Sequence, residues 1–528
     1  MKCLMKLFLL ALAVAICGLE LSPQGMAQGV NAAMLLHPPA NSWPSYHGDY
    51  SGRRHSHLTQ ITPQNVKDLG LAWVFQTDQT ASIKSTPLLV DGILYFTVPD
   101  NLWAVDARSG HELWHYHYPP NIGDHIGQRG VAMYRNWLYF MGPDAHMVSL
   151  NAKDGTVRWN KAVADVTKGY WTTMAPLVVG NHVIVGVGGD MDNLPMFIQA
   201  FDPETGALQW KWDVDSAPGI HKPVTGGTTW MPGTYDPELN LLFWGTGNPT
   251  PVLNGGARPG DNLYTCSIVA LNPDTGKLVW AFQVSPHDTH DWDAVETPVL
   301  VDGTFQGKSR KMLMQTSRNG YFFVLDRTNG KNLLTVPYGP VNWSIGVDQQ
   351  GHPIPNPKKD PAPDGRLIAP DEGGLTNWRS PSFDPKTGLF IVNAHPSYSL
   401  YFAKPTDGAY GWAGADYDLW GNATLEAIDY RTGKFHWTRE LGKGTSAAGV
   451  LTTDSGLTFT GDTFGNILAL DTSNGKTLWH AGLGWGMGSS PITYELDGRQ
   501  YVVTGAGGVL FSWVLPKGSA DVDSESGK

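Results

Sequence analysis

Short runs of alternating hydrophobic and polar residues cover most of the chain, and glycine, proline or aspartate bounds them. This period is typical of β-strands with one buried and one exposed face. One unit recurs: an apolar residue, any residue, Ala or Ser, a second apolar residue, Asp or Asn, then Gly and Trp at fixed later positions. Its Asp or Asn anchors are Asp106, Asn151, Asp202, Asn272, Asp326, Asp429 and Asp471.

Each copy predicts a strand, a four-residue turn with Asp or Asn first and Gly last, and a second strand that ends in Trp. In the Asp326 copy Leu334 replaces the Trp. Successive anchors are 42 to 103 residues apart, and the short spacings match one four-stranded propeller blade. The long spacings hold insertions, at Pro249–Asp261 and Pro337–Gly374.

An additional blade is predicted from the two ends of the chain. The runs Gly488–Tyr494, Tyr501–Gly505 and Val509–Val514 predict strands, and Leu71–Gln76 would supply the fourth. Closure of this kind removes the free edges of an open sheet. The sequence therefore predicts an all-β fold. We expect an eight-bladed propeller of four-stranded antiparallel blades over residues 40–515, with the repeated tryptophans as wedges between blades.

Residues 1–27 have the features of a cleaved export signal. Lys2 and Lys6 are basic, and Leu7–Cys17 is an apolar run too short to span a bilayer. Gly25 and Ala27 suit a cleavage site before Gln28. A lipoprotein signal at Cys17 is the alternative, although the preceding isoleucine fits it poorly. We expect a periplasmic protein without a membrane span in the mature chain.

The remaining composition narrows the function. A net charge of −11 and a pI near 5.8 give no basic footprint for nucleic acid. After cleavage Cys266 is the one remaining cysteine, so an intrachain disulfide is excluded and stability must come from a packed core. Residues 516–528 are predicted to be a polar C-terminal tail.

The densest chemistry is in Pro286–Asp293, where three carboxylates and two imidazoles fall within seven positions. Only 16% of the chain is charged, so this run is unusual. The alternative interpretation is that this run of charged residues is an ordinary solvent-exposed loop. His287 and His290 could form a transition-metal pair, but no third clustered ligand is evident.

Three motifs, together with the repeat, make the chain resemble the quinoprotein alcohol dehydrogenases, which bind pyrroloquinoline quinone (PQQ) in a propeller. The resemblance covers about residues 40–515. The motifs are Gly245-Thr246-Gly247-Asn248-Pro249, the acidic run, and Ser317-Arg318-Asn319-Gly320 before Asp326-Arg327.

The resemblance implies a set of cofactor contacts. Arg129 matches an arginine that binds a PQQ carboxylate, which suits a planar guanidinium. Trp230 matches the aromatic floor under the flat quinone. From the residues alone, Arg129 would also suit a surface turn and Trp230 a packing role. The other implied contacts are Thr173, Thr228, Arg318, Asn377 and Trp378.

It also implies the catalytic and metal-binding residues. PQQ accepts a hydride from the alcohol while a carboxylate removes the hydroxyl proton, and Asp291 matches that base. Arg318 matches the arginine that steadies the reduced quinone oxygen. The cation would be Ca²⁺ or a lanthanide, since Asp293 matches the extra acid of lanthanide-using members. The implied metal ligands are Asp190 (with Asp192 as the alternative), Asn248, Asp291 and Asp293.

The chain departs from the family pattern in several places. The adjacent cysteine pair is absent near Gly123-Asp124, and Lys84 replaces a glutamate that contacts PQQ. The segment Thr445-Ser446-Ala447-Ala448 lacks a Trp that often lines the substrate space, which implies either a wider or more polar pocket or a loss of activity.

No Cys-x-x-Cys-His motif occurs, so electrons would pass to a separate cytochrome c. The expected function is oxidation of a small alcohol or polyol. The alternatives are a non-catalytic propeller scaffold of envelope assembly and a propeller hydrolase or lyase that uses the acidic cluster on a glycan.

Overall fold

The computed structural model describes residues 29–119, 123, 126–189, 193–217, 225–404 and 411–517. The predicted signal peptide, most of the predicted tail, and the candidate ligands Asp190 and Asp192 lie outside these residues. Within the described ranges no helix is long and apolar enough to cross a membrane.

The described elements are overwhelmingly strands. Helices are short: α1 (Ala32–Leu36) and 3₁₀ turns at Val66–Asp68, Val166–Lys168, Gly255–Ala257 and Pro357–Lys359. The first strands are β1 (His55–Ser56), β2 (Gly70–Gln76), β3 (Leu88–Val90), β4 (Ile93–Val98), β5 (Asn101–Asp106), β6 (Glu112–His117), β7 (Ala132–Tyr134), β8 (Trp137–Met141), β9 (His146–Asn151), β10 (Val157–Ala162), β11 (Leu177–Val179), β12 (His182–Gly186), β13 (Phe197–Phe201) and β14 (Leu208–Asp213).

The central strands are β15 (Thr225–Gly226), β16 (Thr234–Asp236), β17 (Leu241–Gly245), β18 (Pro249–Thr250), β19 (Ser267–Leu271), β20 (Leu278–Gln283), β21 (Val299–Phe305), β22 (Lys308–Thr316), β23 (Tyr321–Asp326), β24 (Lys331–Pro337), β25 (Ser344–Val347), β26 (Pro353–Pro355) and β27 (Arg366–Ile368). The last are β28 (Ser382–Asp384), β29 (Leu389–Ala394), β30 (Ser397–Ala403), β31 (Gly414–Asp429), β32 (Lys434–Lys443), β33 (Leu451–Thr453), β34 (Leu457–Gly461), β35 (Asn466–Asp471), β36 (Thr477–Gly482), β37 (Ile492–Leu496), β38 (Arg499–Ala506) and β39 (Val509–Val514).

Most strands form four-stranded antiparallel sheets, so the all-β prediction is confirmed. The sheets are β3–β6, β7–β10, β11–β14, β16-β17-β19-β20, β21–β24, β28-β29-β31-β32, β33–β36 and β37–β39 with β2. Two sheets carry extra strands. β1 adds in parallel to β33, and the long strand β31 also pairs with β30, which pairs with β27.

The repeated tryptophan of one sheet packs against the repeated glycine of the next. A Cβ on Gly155 would lie 2.8 Å from the Trp114 ring, and the Trp114 indole N–H donates to the Ala152 carbonyl at 3.1 Å. A larger residue than glycine would therefore push the ring away. The predicted wedge role is confirmed, and it recurs at Trp73, Trp159, Trp210, Trp280 and Trp437.

The turn of the repeat is one residue longer than predicted. The Gly110 amide donates to the Asp106 carbonyl at 2.9 Å, which closes a five-residue turn. The Asp106 carboxylate meanwhile accepts from the amides of Arg108 and Ser109 at 3.0 and 2.9 Å. The four-residue prediction was wrong because this side chain satisfies the intervening amides and allows the wider turn.

The two ends of the chain meet in one sheet, as predicted. β2 pairs with β39 from Gly70 opposite Val514 to Gln76 opposite Val509. One hydrophobic cluster draws its buried side chains from residues 43–107 and from residues 448–515. The core on this side of the molecule is therefore built by both termini together.

Most of the predicted site residues lie in segments that connect the last strand of one sheet to the first strand of the next. Arg129 precedes β7, Thr173 precedes β11, Trp230 precedes β16, and Asp291 lies between β20 and β21. These connections lie at one end of the sheets, which places residues distant in sequence near each other.

Candidate cofactor and metal site

The acidic run is organised by one carboxylate, Asp288. Its Oδ2 accepts from the amides of His290, Asp291 and Trp292 at 3.3, 3.0 and 3.2 Å. Asp291 consequently adopts a left-handed backbone with φ of 69°. Such a conformation is costly for a residue with a Cβ and persists only where the surroundings impose it.

Arg318 joins the carboxylates of this region. Its Nη2 lies 2.8 Å from Asp291 Oδ2 and 2.9 Å from Glu372 Oε1, and its Nη1 lies 3.1 Å from Asp293 Oδ2. The side chains of Arg318, Asp291 and Asp293 are 5%, 8% and 4% exposed. One buried cation therefore serves three carboxylates, and the cluster keeps an excess of negative charge when all are ionised.

Burial shifts the ionisation of this cluster. It raises the pKa of Asp291 well above its usual range, with Arg318 opposing and Asp293 reinforcing the shift. It raises the pKa of Asp293 as well, against the lowering effects of Arg318 and of the Trp230 hydrogen bond. For Arg318, burial alone would lower the pKa, but Asp291, Asp293 and Glu372 raise it well above its usual range. The guanidinium stays charged, and a carboxylate of raised pKa is a stronger base than a solvated one.

Asp293 links the acidic run to two other motifs. Its Oδ2 accepts from the Trp230 indole N–H at 2.8 Å, and its Oδ1 accepts from the Asn248 amide at 2.7 Å. A Cβ on Gly247 would collide with Asp293 Oδ1 and Thr228 Oγ1, so this glycine permits the approach. The structure thus brings together residues that the sequence presents in three separate motifs.

Two polar atoms beside Asp293 lack partners. Asn248 Oδ1 and Thr228 Oγ1 are buried and have no hydrogen-bond partner within the described part of the chain. Leaving such atoms unsatisfied costs about 1–3 kcal/mol each unless a ligand takes them up. Like the Asp291 and Asp293 carboxylates, these two atoms are oxygens, the ligand type that a hard cation prefers.

Arg129 and Lys84 lie over the rings of Trp230 and Trp378. Arg129 Cζ lies 4.5 Å from the centre of the Trp230 ring and 5.5 Å from that of Trp378. Lys84 Nζ lies 6.0 Å from the Trp378 centre. No carboxylate of the described residues lies within ion-pair distance of either cation. Burial lowers the pKa of Arg129 to about 10, and burial followed by the Arg129 charge lowers that of Lys84.

Two other predicted cofactor contacts, Thr173 and Asn377, have different surroundings. Thr173 lies beside Arg129, and its hydroxyl oxygen and its carbonyl oxygen both accept from Arg129 Nη1. The Asn377 side chain binds locally: its Nδ2 donates to the Gly373 carbonyl at 2.9 Å and its Oδ1 accepts from the Trp378 amide at 2.8 Å. Asn377 therefore shapes the turn that presents Trp378.

The two histidines of the run support the loop. His290 stacks on Trp292 with ring centres 4.3 Å apart, and its Nε2 lies 3.0 Å from the Lys359 carbonyl. His287 Nδ1 lies 2.6 Å from the Gly260 carbonyl. The two rings thus bind different backbone carbonyls in the two insertions. Burial lowers the pKa of His290 to about 4, which keeps that ring neutral.

Sequence reasoning missed two carboxylates here. Glu372 binds Arg318, but 54 residues separate the two in the sequence and no motif includes Glu372. Glu296 is 2% exposed and neither of its carboxylate oxygens has a hydrogen-bond partner among the residues described. Its burial raises its pKa well above the usual range, against the lowering effect of Arg318. Its position three residues after Asp293 was the available signal.

Comparison with known proteins agrees with this geometry. The sequence profile described as "PQQ: Glucose/ethanol/alcohol dehydrogenase, beta-propeller domain" matches residues 43–353 and 418–502. The quinoprotein alcohol dehydrogenase PedH of Pseudomonas putida is 36% identical over 513 residues, which cover 88% of this chain and 86% of the relative. A lanthanide-dependent methanol dehydrogenase of Methylorubrum extorquens is 30% identical, covering 87% of this chain and 86% of the relative.

A solved structure shows the same relationship in three dimensions. The quinohemoprotein alcohol dehydrogenase of Comamonas testosteroni superposes with a TM-score of 0.85 at 31% identity, covering 93% of this chain and 83% of that one. The profile and both relatives cover most of the chain, and the solved structure shares its fold. The chain therefore belongs to the PQQ glucose/ethanol/alcohol dehydrogenase β-propeller family.

Proposed function

We propose that the protein oxidises a small alcohol or polyol with PQQ and a bound metal ion, and that Asp291 is the base. The observation that carries this proposal is the single hydrogen-bonded unit formed by Asp291, Arg318, Asp293, Asn248 and Trp230. It joins a buried base, a set of oxygen ligands and an aromatic floor.

The metal ion would be held by Asn248 Oδ1, Asp293 and Asp291, with Asp190 as a further ligand from the segment outside the described residues. The unpartnered Asn248 Oδ1 and the excess of buried carboxylates support this assignment. Either Ca²⁺ or a lanthanide suits an all-oxygen set, and the extra carboxylate of Asp293 favours the more highly charged ion. When bound, the ion supplies Lewis-acid polarisation of a quinone carbonyl.

PQQ carries carboxylates on a flat ring system, and both halves of the site suit it. Trp230 offers a flat aromatic ring, and Thr228 Oγ1 offers a hydroxyl without a partner among the described residues. Arg129 and Lys84 offer positive charge that no carboxylate in the described ranges neutralises. Thr173, Asn377 and Trp378 complete the predicted contacts. When bound, PQQ supplies a quinone carbon that takes the hydride from the carbinol carbon.

The side chains of the chain itself do the proton chemistry. Asp291 Oδ accepts the hydroxyl proton of the alcohol as the hydride leaves its carbon, so charge is conserved in the site. Burial raises the pKa of this carboxylate and so makes it a stronger base, whereas the Arg318 guanidinium opposes that shift and favours the ionised form. Arg318 also stabilises negative charge that develops beside it.

The architecture and cellular setting are part of the proposal. We infer that residues 40–515 form one propeller of eight blades, supported by the eight sheets and by the β2–β39 pairing. We infer further that residues 1–27 direct export to the periplasm, that residues 516–528 are a tail, and that a separate cytochrome c accepts the electrons.

Reconstitution tests the function. The purified full chain is titrated with PQQ in the presence of Ca²⁺ or La³⁺, and turnover is followed with a dye acceptor over a series of alcohols. We expect metal-dependent PQQ binding at micromolar concentration and turnover of at least one alcohol. The matched variant Asp291→Asn should bind PQQ and lose turnover. Failure of the wild-type chain to bind PQQ with either ion would overturn the proposal and favour a non-catalytic scaffold.

A further inference from the structure

A second cluster of ligand-type side chains lies on β1, away from the cofactor site. β1 pairs in parallel with β33, with His55 opposite Thr452 and Ser56 opposite Thr453. Asp454 follows directly, and its amide donates to the Ser56 carbonyl at 2.8 Å. His57 follows the last residue of β1, and the side chains of His55 and His57 both contact Asp454.

The candidate ligand atoms of this cluster lie close to one another. His55 Nε2 lies 3.1 Å from Asp454 Oδ1, and His57 Nδ1 lies 2.8 Å from Asp454 Oδ2. One ligand atom from each residue can be chosen so that all three lie within 4.8 Å of one another. Zinc–ligand bonds of about 2.0–2.2 Å in a tetrahedron place neighbouring ligand atoms about 3.3 Å apart. The two histidine–aspartate separations are shorter than this, so an ion would enter by moving the side chains apart and replacing these two hydrogen bonds.

The hydrogen bonds behind the cluster suit metal binding. His55 Nδ1 lies 2.8 Å from Thr452 Oγ1, which in turn lies 2.7 Å from Ser382 Oγ. If Nδ1 carries the proton and donates to Thr452, the lone pair of Nε2 points at Asp454. An outer hydrogen bond of this kind orients metal-binding histidines in proteins. The His55 side chain is 3% exposed and rigidly held, whereas that of His57 is 81% exposed and open to solvent.

The two histidines of the cluster, but not Asp454, line a cavity with room for water ligands. Its volume is about 250 Å³, and its walls include His37, His47 and Asp49 as well as His55 and His57. Three protein ligands with an open position are typical of accessible zinc sites. Two imidazoles and one carboxylate favour zinc-type ions, whereas Ca²⁺ and lanthanides favour oxygen ligands.

We propose that His55, His57 and Asp454 form a binding site for a zinc-type divalent cation, separate from the cofactor site. The ion would pin the N-terminal segment to the sheet β33–β36 across 399 residues of sequence. One charge opposes it: Lys386 Nζ lies 3.3 Å from Asp454 Oδ1 and donates to the Asp454 carbonyl at 2.6 Å. This lysine is 57% exposed and has space to move aside.

The opposing lysine makes the proposal sharply testable. The full chain without PQQ, saturated with Ca²⁺ to occupy hard-ligand sites, is titrated calorimetrically with Zn²⁺. The wild-type chain should bind Zn²⁺ at one site that His57→Ala weakens by at least 10–100-fold. Lys386→Ala should tighten binding several-fold, because it removes the competing positive charge. The matched control is His436→Ala, which removes an exposed histidine elsewhere and should change nothing.

The outcomes separate this site from the proposed catalytic function. Because His57 is exposed, its replacement should leave the fold and alcohol oxidation intact, as circular dichroism and the dye assay would show. Equal Zn²⁺ affinity and stoichiometry in the wild-type and His57→Ala chains would overturn the proposal. So would an unchanged or weaker affinity in Lys386→Ala, since a metal at Asp454 must respond to that charge.

Discussion

The Asp291 cluster and the Asp454 cluster use similar residue types in different surroundings. At Asp291 burial raises the pKa well above its usual range, although Arg318 opposes the shift. At Asp454 burial acts in the same direction, but hydrogen bonds from His57 and His55 outweigh it and lower the pKa to about 2. The first carboxylate is prepared to take up a proton, and the second stays charged and available to a cation. The surroundings decide the role of each carboxylate.

Burial is the first cause of this contrast, because the Asp291 side chain is 8% exposed and that of Asp454 is 19% exposed. The partners of the two carboxylates add to it. Arg318 divides its charge among three buried acids, so each is only partly compensated. Asp454 is surrounded by two imidazoles and a lysine, of which His55 also lies 3.8 Å from a second carboxylate, that of Asp384. A carboxylate that shares its cation becomes the stronger base, whereas one surrounded by donors becomes the weaker base.

The largest effect is expected from removing the base of the Asp291 cluster. Asp291→Asn should lower kcat by about 10²–10⁴-fold, the usual contribution of a positioned base, while PQQ affinity stays within a few-fold. Steady-state assays and PQQ titration measure both quantities. The control is His57→Ala in the Asp454 cluster, which should leave kcat unchanged. A comparable kcat in Asp291→Asn would remove this residue from the chemistry.

Arg318→Lys tests the shared cation. A lysine is a point charge and cannot reach three carboxylates as the guanidinium fork does. We expect kcat to fall by about 10²-fold, by analogy with the loss of one electrostatic donor. We also expect the acid limb of the pH–rate profile to move to higher pH, because an ammonium without the guanidinium's hydrogen bonds opposes the raised pKa of Asp291 less effectively. An acid limb that stays in place would mean that Arg318 does not govern the base.

Lys84→Met tests the contribution of the two cations, Lys84 and Arg129, to cofactor binding. This lysine and Arg129 lie beside Trp378 without a carboxylate partner among the described residues. Removing it should weaken PQQ binding about tenfold, equivalent to about 1.4 kcal/mol, and reduce the salt dependence of binding. Fluorescence titration at low and high salt measures both. Lys386→Met is the matched control, because it removes a lysine from the Asp454 cluster and should leave PQQ binding unchanged.

The smallest effect concerns Asp416, a half-buried acid near Glu372. Burial, then the charges of Glu372 and Asp418, raise its pKa to about 6. A raised folded-state pKa means that the carboxylate favours folding below about pH 4 and that this advantage is lost as pH rises toward 6. Asp416→Asn should therefore stabilise the protein by about 1 kcal/mol or less at pH 7.5, after solvent screening, and hardly at pH 4. Urea unfolding at the two pH values measures this, and equal effects would contradict the assignment.

Much of the fold could be read from local patterns. The Asp-to-Gly unit predicted the paired strands, and its terminal Trp was confirmed as the contact with the next sheet at Trp114 and Gly155. The strand at Leu71–Gln76 was correctly paired with the C-terminal hairpin. The predicted turn length was one residue too short, because the sequence pattern does not show the hydrogen bonds of the Asp106 side chain.

The site was only partly accessible in this way. Separate motifs named Asp291, Asp293, Asn248, Trp230 and Arg318, and the folded chain brings these residues together. Glu372 and the unpartnered Glu296 were not predicted. Their roles depend on burial and on partners far along the chain, which no local spacing encodes.

Strand period, turn residues and family motifs are properties of neighbouring positions, so the amino-acid sequence alone was enough to identify the β-architecture and most members of the site. Charge state is different, because it depends on solvent access and on long-range partners. Folding of the whole chain was needed to bury Asp291 beside Arg318 and to bring His55 to Asp454 across 399 residues. Sheet packing and the meeting of the chain ends create those surroundings, and they set the pKa of each carboxylate.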